Sequence, residues 1–574
     1  DKVPGDFVDV LLQRGVAHLE LARARSRAAA PKQPSPADSE EIATDCRAAR
    51  EDATRYLALA PKGSLAAQAW YLSAVASAIS GDKQDSVAAL QTMAKQFAKH
   101  PEREVALLEV AGIAYAKEDY PLAESLNEEL AGVSQDPVRR SQALAELGWS
   151  RSQQKKHADA VAAFRKLLTD YPDQPLAPEA GFMVGQSLAA LGKKREAQQA
   201  YAAAFQQAGE SDHTFQSGWR AARLLFELNE AEAADAAYVA LLQRFPKNSR
   251  ADRALDEWAT EHYDAQRFER ADELFRRLAS EYTASPLAWN AKLILAESEL
   301  IADRPKVART QFLEIANAPT ADKKSAERAL YQLQNIAQEL QDWNELKQLC
   351  DQSTQRFPEG TYRHEAELAR AEADFQQQDY AAAVVRLERL RGLKTDAAVA
   401  NRPWFGKVFV RLAECHLREK AYDKAQAVIA EMQEWDPQSP LLYQAYEIQG
   451  KALKNQARFA DARRWFQKVI DDKHGRKTET AARSQFLLAE TYLLEQNFDT
   501  ALDEYLKVEI GYEYPYWQSA ALYHAGTCQE SLKDAAGARK TYTRLLANFP
   551  DSEFAPKAKD RLTAVRKTAA TGKP

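Results

Sequence analysis

Residues 148–201 read GWSRSQQKKHADAVAAFRKLLTDYPDQPLAPEAGFMVGQSLAALGKKREAQQAY, and one pattern occurs in them twice. Gly148, Ala160 and Phe164 return 37 residues later as Gly185, Ala197 and Tyr201. With Ala160 as anchor, the aromatic lies four positions on, one helical turn along the same face, and the glycine lies twelve positions before. Pro172 stands twelve residues after the anchor, where proline cannot continue a helix, and Ala180 follows eight residues beyond it. This spacing predicts two helices folded back on each other. Their backbones approach closely where the side chains are small, and the aromatic fills the space beside the crossing.

The pattern extends in both directions. Anchors fall at Ala49, Ser86, Ala123, Ala160, Ala197, Ala234, Ala271, Ala308, Leu346, Ala383, Ala425, Ala462, Ala501 and Ala538. Successive gaps are 37 seven times, then 38, 37, 42, 37, 39 and 37. An alanine-rich chain produces some such matches by accident, so a second column must agree in the same register. Four residues after the anchor, eight of fourteen positions are aromatic: Phe164, Tyr201, Tyr238, Phe275, Phe312, Phe466, Tyr505 and Tyr542. Twelve residues before it, twelve of thirteen positions from Ala74 to Gly526 are small, the exception being Gln334. Pro61, Pro172, Pro246, Pro358, Pro437 and Pro550 share the place twelve after the anchor.

A chain of 574 residues exceeds what a single core normally serves, and a repeat array escapes that limit. Hydrophobic residues at 45% and charged residues at 28%, with only 21 glycines, describe an ordered helical protein rather than a disordered one. The 83 acidic and 77 basic residues leave a net charge of −6, too weak a field to gather nucleic acid or anionic lipid. Proteins are the expected partners. The longest uncharged run, Gly63 to Gly81, is alanine-rich and falls in register with the other helices, so no membrane span is expected in it.

The small residue at the crossing, the anchor alanine, the aromatic four later and the proline eight after that resemble the tetratricopeptide repeat, over roughly residues 40 to 567. The resemblance implies an all-α fold, a right-handed α-solenoid of about fourteen helical hairpins with capping helices at both ends. The 37-residue period departs from the family's usual 34 and is similar to that of bacterial envelope members, such as the Tol-Pal coordinator and the outer-membrane assembly lipoprotein.

Irregularities divide the chain. Residues 1–60 are expected to form an N-terminal capping hairpin with a proline-rich linker at 31–36, its helices covering Asp6 to Ala30 and Ser39 to Leu59. The first part of the array spans 61–394, an insertion or bend lies at 395–405, and the second part spans 406–552. Residues 553–574 supply a closing helix to Lys567 and a tail from Thr568.

No GxGxxG or GxxxxGK[ST] stretch occurs, so nucleotide binding by those routes is unsupported. No HxxxH pair occurs, Cys415 beside His416 is too short a step to share a helix face, and Cys46, Cys350, Cys415 and Cys528 lie far apart. Cys350 occupies an aromatic-column position and reads as a small buried hydrophobe. Neither a catalytic, a cofactor-binding nor a metal site is expected, and no cofactor.

In the family the first helix of each hairpin lines the concave side. The resemblance points to residues eleven before the anchor, Glu297, Asn335, Glu372, Glu414, Lys451 and Glu490, and fifteen before it, Tyr71, Phe182, Trp219, Tyr331, Phe486 and Tyr523. Carboxylates and aromatics together suit a basic, partly apolar segment, whereas solvated glutamates and aromatics packed between hairpins give the plainer reading. Gly511 to Trp517 adds four aromatics in a turn, which anchor a partner if exposed and belong to the C-terminal core if buried. The candidate partner-binding residues are Glu297, Tyr331, Glu372, Glu414, Phe486, Glu490, Trp517 and Tyr523.

The implied function is a non-catalytic protein-protein interaction scaffold of the bacterial cell envelope, organising a Tol- or Ton-type motor or outer-membrane assembly complex. A cytosolic regulatory adaptor and a subunit of a polysaccharide export or pilus assembly machine are the alternatives. The start at Asp1 without Met is read as removal of an upstream segment, with a signal peptide giving a periplasmic protein. A cytoplasmic location goes with the alternative.

Overall fold

A computed structural model describes residues 5–29, 35–207 and 209–571, in two compact units, Asp1–Leu287 and Ala288–Pro574. Among the described residues every regular element is helical, and no helix is long and apolar enough to cross a membrane.

In the first unit the helices pair in chain order. α1 (Gly5–Ala29) packs on α2 (Pro36–Leu59), α3 (Ala66–Ser80) on α4 (Lys83–Gln96), α5 (Pro101–Ala116) on α6 (Tyr120–Val133) and α7 (Pro137–Gln153) on α8 (His157–Asp170). α9 (Ala177–Ala190) packs on α10 (Lys194–Gln206), α11 (Asp212–Glu227) on α12 (Ala231–Arg244) and α13 (Ala251–Asp264) on α14 (Phe268–Glu281).

The second unit repeats the arrangement. α15 (Pro286–Ile301) is followed by α16 (Pro305–Asn317), α17 (Lys323–Glu339) by α18 (Trp343–Arg356) and α19 (Arg363–Gln376) by α20 (Tyr380–Arg391). After the four-residue α21 (Ala397–Ala400) come α22 (Gly406–Arg418) with α23 (Tyr422–Trp435) and α24 (Leu442–Asn455) with α25 (Phe459–Asp471). α26 (Glu479–Leu494) with α27 (Phe498–Gly511), α28 (Pro515–Ser531) with α29 (Ala535–Asn548), and the closing α30 (Ala555–Thr571) complete it.

Each anchor sits in the second helix of its hairpin, and all of them are 0–1% exposed. The eight column aromatics are equally buried. The crossing explains why. An ideal Cβ placed on Gly148, Gly185 or Gly450 would stand 2.5 Å from the ring of Phe164, Tyr201 or Phe466, and one on Gly526 would stand 2.4 Å from Tyr542. In these four hairpins the first helix lies directly against the aromatic of the second and only hydrogen fits, whereas Ala222, Ala259, Ala296 and Ala489 place a methyl group at the same crossing beside Tyr238, Phe275, Phe312 and Tyr505.

Between the two helices of each hairpin the backbone reverses through one recurring device. In the thirteen hairpins from α3/α4 to α28/α29 the residue five before the anchor has positive φ; two of these residues are glycines and the rest are Glu118, Lys155, Asn229, Gln266, Asp303, Gln341, Gln378, Lys420, Ala457, Gln496 and Lys533. The next N–H reaches back five residues, as Asp82 does to Ser77 at 2.8 Å and Lys156 to Arg151 at 2.9 Å. This satisfies the last carbonyls of the first helix in the manner of a Schellman cap. Long cations of the next hairpin also reach carbonyls at helix ends. Lys117 Nζ donates to the carbonyls of Ala78 and Ile79 at 2.8 and 2.6 Å, and Arg356 Nη1 donates to Ala316 at 2.7 Å.

The terminal and inserted segments refine the sequence reading. Residues 31–34 of the proline-rich segment lie outside the described residues, and Pro36 opens α2 because Ser35 caps it, its Oγ accepting from Asp38 N at 3.2 Å. Within 395–405, Asp396 caps α21, and Val399, Ala400 and Phe405 are buried against α20, α22 and α23. The closing helix continues past Lys567 to Thr571, and 572–574 lie outside the described residues.

Candidate functional site

The candidate residues all lie on the first helices of the hairpins. In the second unit, α17, α19, α22 and α24 form an open groove of about 460 Å³. Tyr331, Glu372 and Glu414 line it, together with Glu365, Leu368, Trp404, Lys407 and Arg411. Its floor is ordered by rings and ion pairs. The Tyr331 ring stacks on Tyr362 with centroids 4.3 Å apart. Trp404, the end of the inserted segment, donates from Nε1 to Glu365 Oε1 at 2.9 Å.

Arg411 is the centre of the groove's charge. Its Nη2 and Nε reach Glu372 at 2.9 and 2.6 Å, and its Nη1 reaches Glu414 at 2.8 Å. Its guanidinium lies 4.2 Å from the Phe375 ring centroid. The cation that the sequence pattern assigned to a partner is thus supplied by the chain itself. The groove offers apolar surface from Tyr331, Leu368 and Trp404 beside a set of ion pairs already formed, an arrangement that seats side chains of mixed character rather than a run of lysines.

The other candidates lie elsewhere. Glu297, on α15, accepts from Arg328 Nη2 at 2.7 Å and Gln332 Nε2 at 3.0 Å of α17. Glu490, on α26, is ion-paired with Lys454 of α24. Phe486 is 8% exposed, with its ring 5.1 Å from Tyr505, 5.4 Å from Trp517 and 5.5 Å from His524. Tyr523 packs against Phe554 at 5.8 Å, and Trp517 Nε1 donates to Glu479 at 2.9 Å. Phe486, Trp517 and Tyr523 therefore belong to one C-terminal aromatic core. Of the four aromatics expected in a turn, Tyr516 and Trp517 lie in the first turn of α28, and Tyr516 is the one that stands out from the core, 51% exposed.

The four cysteines are free and buried. Burial pushes the Cys350 and Cys415 thiols up to about 12 and those of Cys46 and Cys528 up to about 11, which leaves none as a thiolate nucleophile near neutral pH. Arg411, Trp404, Lys407 and Glu365 are among the groove residues that the two chosen columns missed. Arg411 stands three residues before Glu414, a spacing that puts both on one helix face and makes the pair visible in sequence.

In sequence, residues 317–488 match a tetratricopeptide repeat-like domain, and tetratricopeptide repeats match at 142–173 and 520–552 and at 37–101 and 257–322. No curated protein matches the chain. Among solved structures it is similar to Naa15/Naa10 bound to HypK-THB, at 12% identity and TM-score 0.40 over 99% of this chain and 97% of that one. It is also similar to yeast Tom70, at 13% identity and TM-score 0.32 over 81% and 96%. PilF of Pseudomonas aeruginosa matches at 18% identity and TM-score 0.25, over 43% of this chain and 98% of that one.

Proposed function

Since the chain belongs to the tetratricopeptide-repeat proteins, whose arrays bind protein partners, we propose that it is a non-catalytic scaffold that holds a partner's segment in the groove of α17, α19, α22 and α24. The observation that carries this reading is the groove itself, open to solvent and lined by Tyr331, Leu368 and Trp404 beside the Arg411 ion pairs. Apolar platforms rimmed by fixed charges bind extended or helical segments, the apolar part giving affinity and the charges register.

The scaffold works in the bacterial cell envelope, in the periplasm, where it organises a Tol- or Ton-type motor or an outer-membrane assembly complex. The 37-residue period is what supports this narrower reading. Affinity purification from the native host after gentle detergent extraction, with mass spectrometry, tests both levels. Envelope proteins at fixed stoichiometry, lost when Trp404→Ala is introduced, are the expected result. Cytosolic partners would refute the envelope location, and a partner set untouched by Trp404→Ala would refute the groove.

A further inference from the structure

In the first unit, α11 and α13 bring a cluster of arginines together. A cavity of about 280 Å³ between α11 and α13 is lined by Trp219, Arg220, Arg223, Arg250, Arg253 and Glu257 among others, four guanidinium groups against one carboxylate. Arg220 and Arg223, and likewise Arg250 and Arg253, are three residues apart; the first pair shares one face of α11, and the second pair brackets the start of α13. Arg220, Arg223 and Arg253 are exposed.

The pairing of these cations is uneven. Arg250 reaches Asp212 at 3.3 Å, and Arg223 lies 3.8 Å from Glu227. Arg220 rests over the Phe182 ring at 5.6 Å, and among the described residues neither it nor Arg253 has an ion pair. Glu257 is committed to neutral donors, accepting from Trp219 Nε1 at 3.2 Å and Tyr238 Oη at 2.9 Å. These bonds fix the Trp219 ring as a wall of the cavity. The neighbouring Asp252 is held by Ser285 at 2.6 Å and does not line the cavity.

From this geometry we infer that the α11/α13 face binds an acidic segment of a partner protein, with carboxylates on Arg220 and Arg253 and an apolar side chain against Trp219. Guanidinium forks without a carboxylate partner are the groups that gain most from such a segment, because each forms two parallel charge-assisted hydrogen bonds. This site is independent of the groove in the second unit.

The test is fluorescence anisotropy on the full chain with a labelled peptide of alternating Glu and Leu, against its counterpart with Lys in place of Glu. The Glu peptide binds and the Lys peptide does not, and binding weakens with salt. Arg220→Ala with Arg253→Ala weakens it by about tenfold or more, whereas Arg276→Ala, an exposed arginine on α14, leaves it unchanged. Both sites being exposed, the double variant keeps the wild-type melting curve; the double Gln variant replaces it if the curve shifts. Equal binding of both peptides, or affinity unchanged in the double variant, overturns the assignment. A single-stranded oligonucleotide that binds more tightly than the Glu peptide and is lost in the same variant overturns it in favour of nucleic acid.

Discussion

At Gly148 an added methyl group would stand 2.5 Å from Phe164, while at Gly112, exposed on α5, nothing lies within 4 Å of one. Gly148→Ala is therefore expected to destabilise by about 1–3 kcal/mol through overpacking, and Gly112→Ala to stabilise by up to about 1 kcal/mol through helix propensity. Thermal melts of the two variants separate these opposite signs. Asp256 provides a pH test. Burial first, and then the nearby Asp252 and Glu257, push its carboxyl up to about 6 from an ordinary 3.8. The folded chain thus holds this proton up to about pH 6 and the unfolded chain only to about 3.8, so the group favours folding at low pH and that advantage is lost as pH rises through 6. Asp256→Asn is expected to raise stability at pH 7.5 by on the order of 1–2 kcal/mol and to have no effect near pH 4.

At the scale of the element, the hairpin was legible because its packing demands residue types: a small crossing residue, a buried anchor and an aromatic in fixed register. The turn between its helices was not. The left-handed position is occupied by Glu118, Lys155, Asn229 and Ala457 alike, so a backbone conformation shared by thirteen hairpins has no residue signature. Ala457 has φ 57° and no polar side chain to compensate, and Ala457→Gly is expected to stabilise by roughly 0.5–1 kcal/mol. Glu124 shows how neighbouring hairpins are tied. Although burial pushes its carboxyl up, Lys156, Arg151 and Gln154 hold it down at about 2 through bonds of 2.7, 2.9 and 2.8 Å. That stability is fully present above pH 4.5 and is lost as pH falls through 2. Glu124→Gln is expected to cost about 1–3 kcal/mol at pH 7, with the difference gone near pH 2 in acid-unfolding curves.

Over the whole molecule, hairpin contacts are made with neighbours in the stack, so perturbation should remain local. Amide exchange in Gly148→Ala is expected to speed up across α7 and α8 and to stay unchanged across α24 and α25. The candidate site was only partly legible at this scale. Tyr331, Glu372 and Glu414 meet in one groove as column residues should, yet Arg411, which neutralises two of them, joins residues up to 39 positions apart, and Trp404 comes from the one long insertion. Phe486 and Tyr523 carry the same column signal and Trp517 the separate signal of the aromatic turn, and all three are absorbed into the C-terminal core, because an aromatic on a first helix serves either face. The central claim, that the first-helix groove of the second unit holds a partner, is tested most directly by photo-crosslinking in the native host. A crosslinking residue is placed at Lys407 in the groove and at Val385 on α20, both exposed. A single partner crosslinked from Lys407 and not from Val385 is the predicted result, and equal capture from both positions, or capture from Val385 alone, would contradict it.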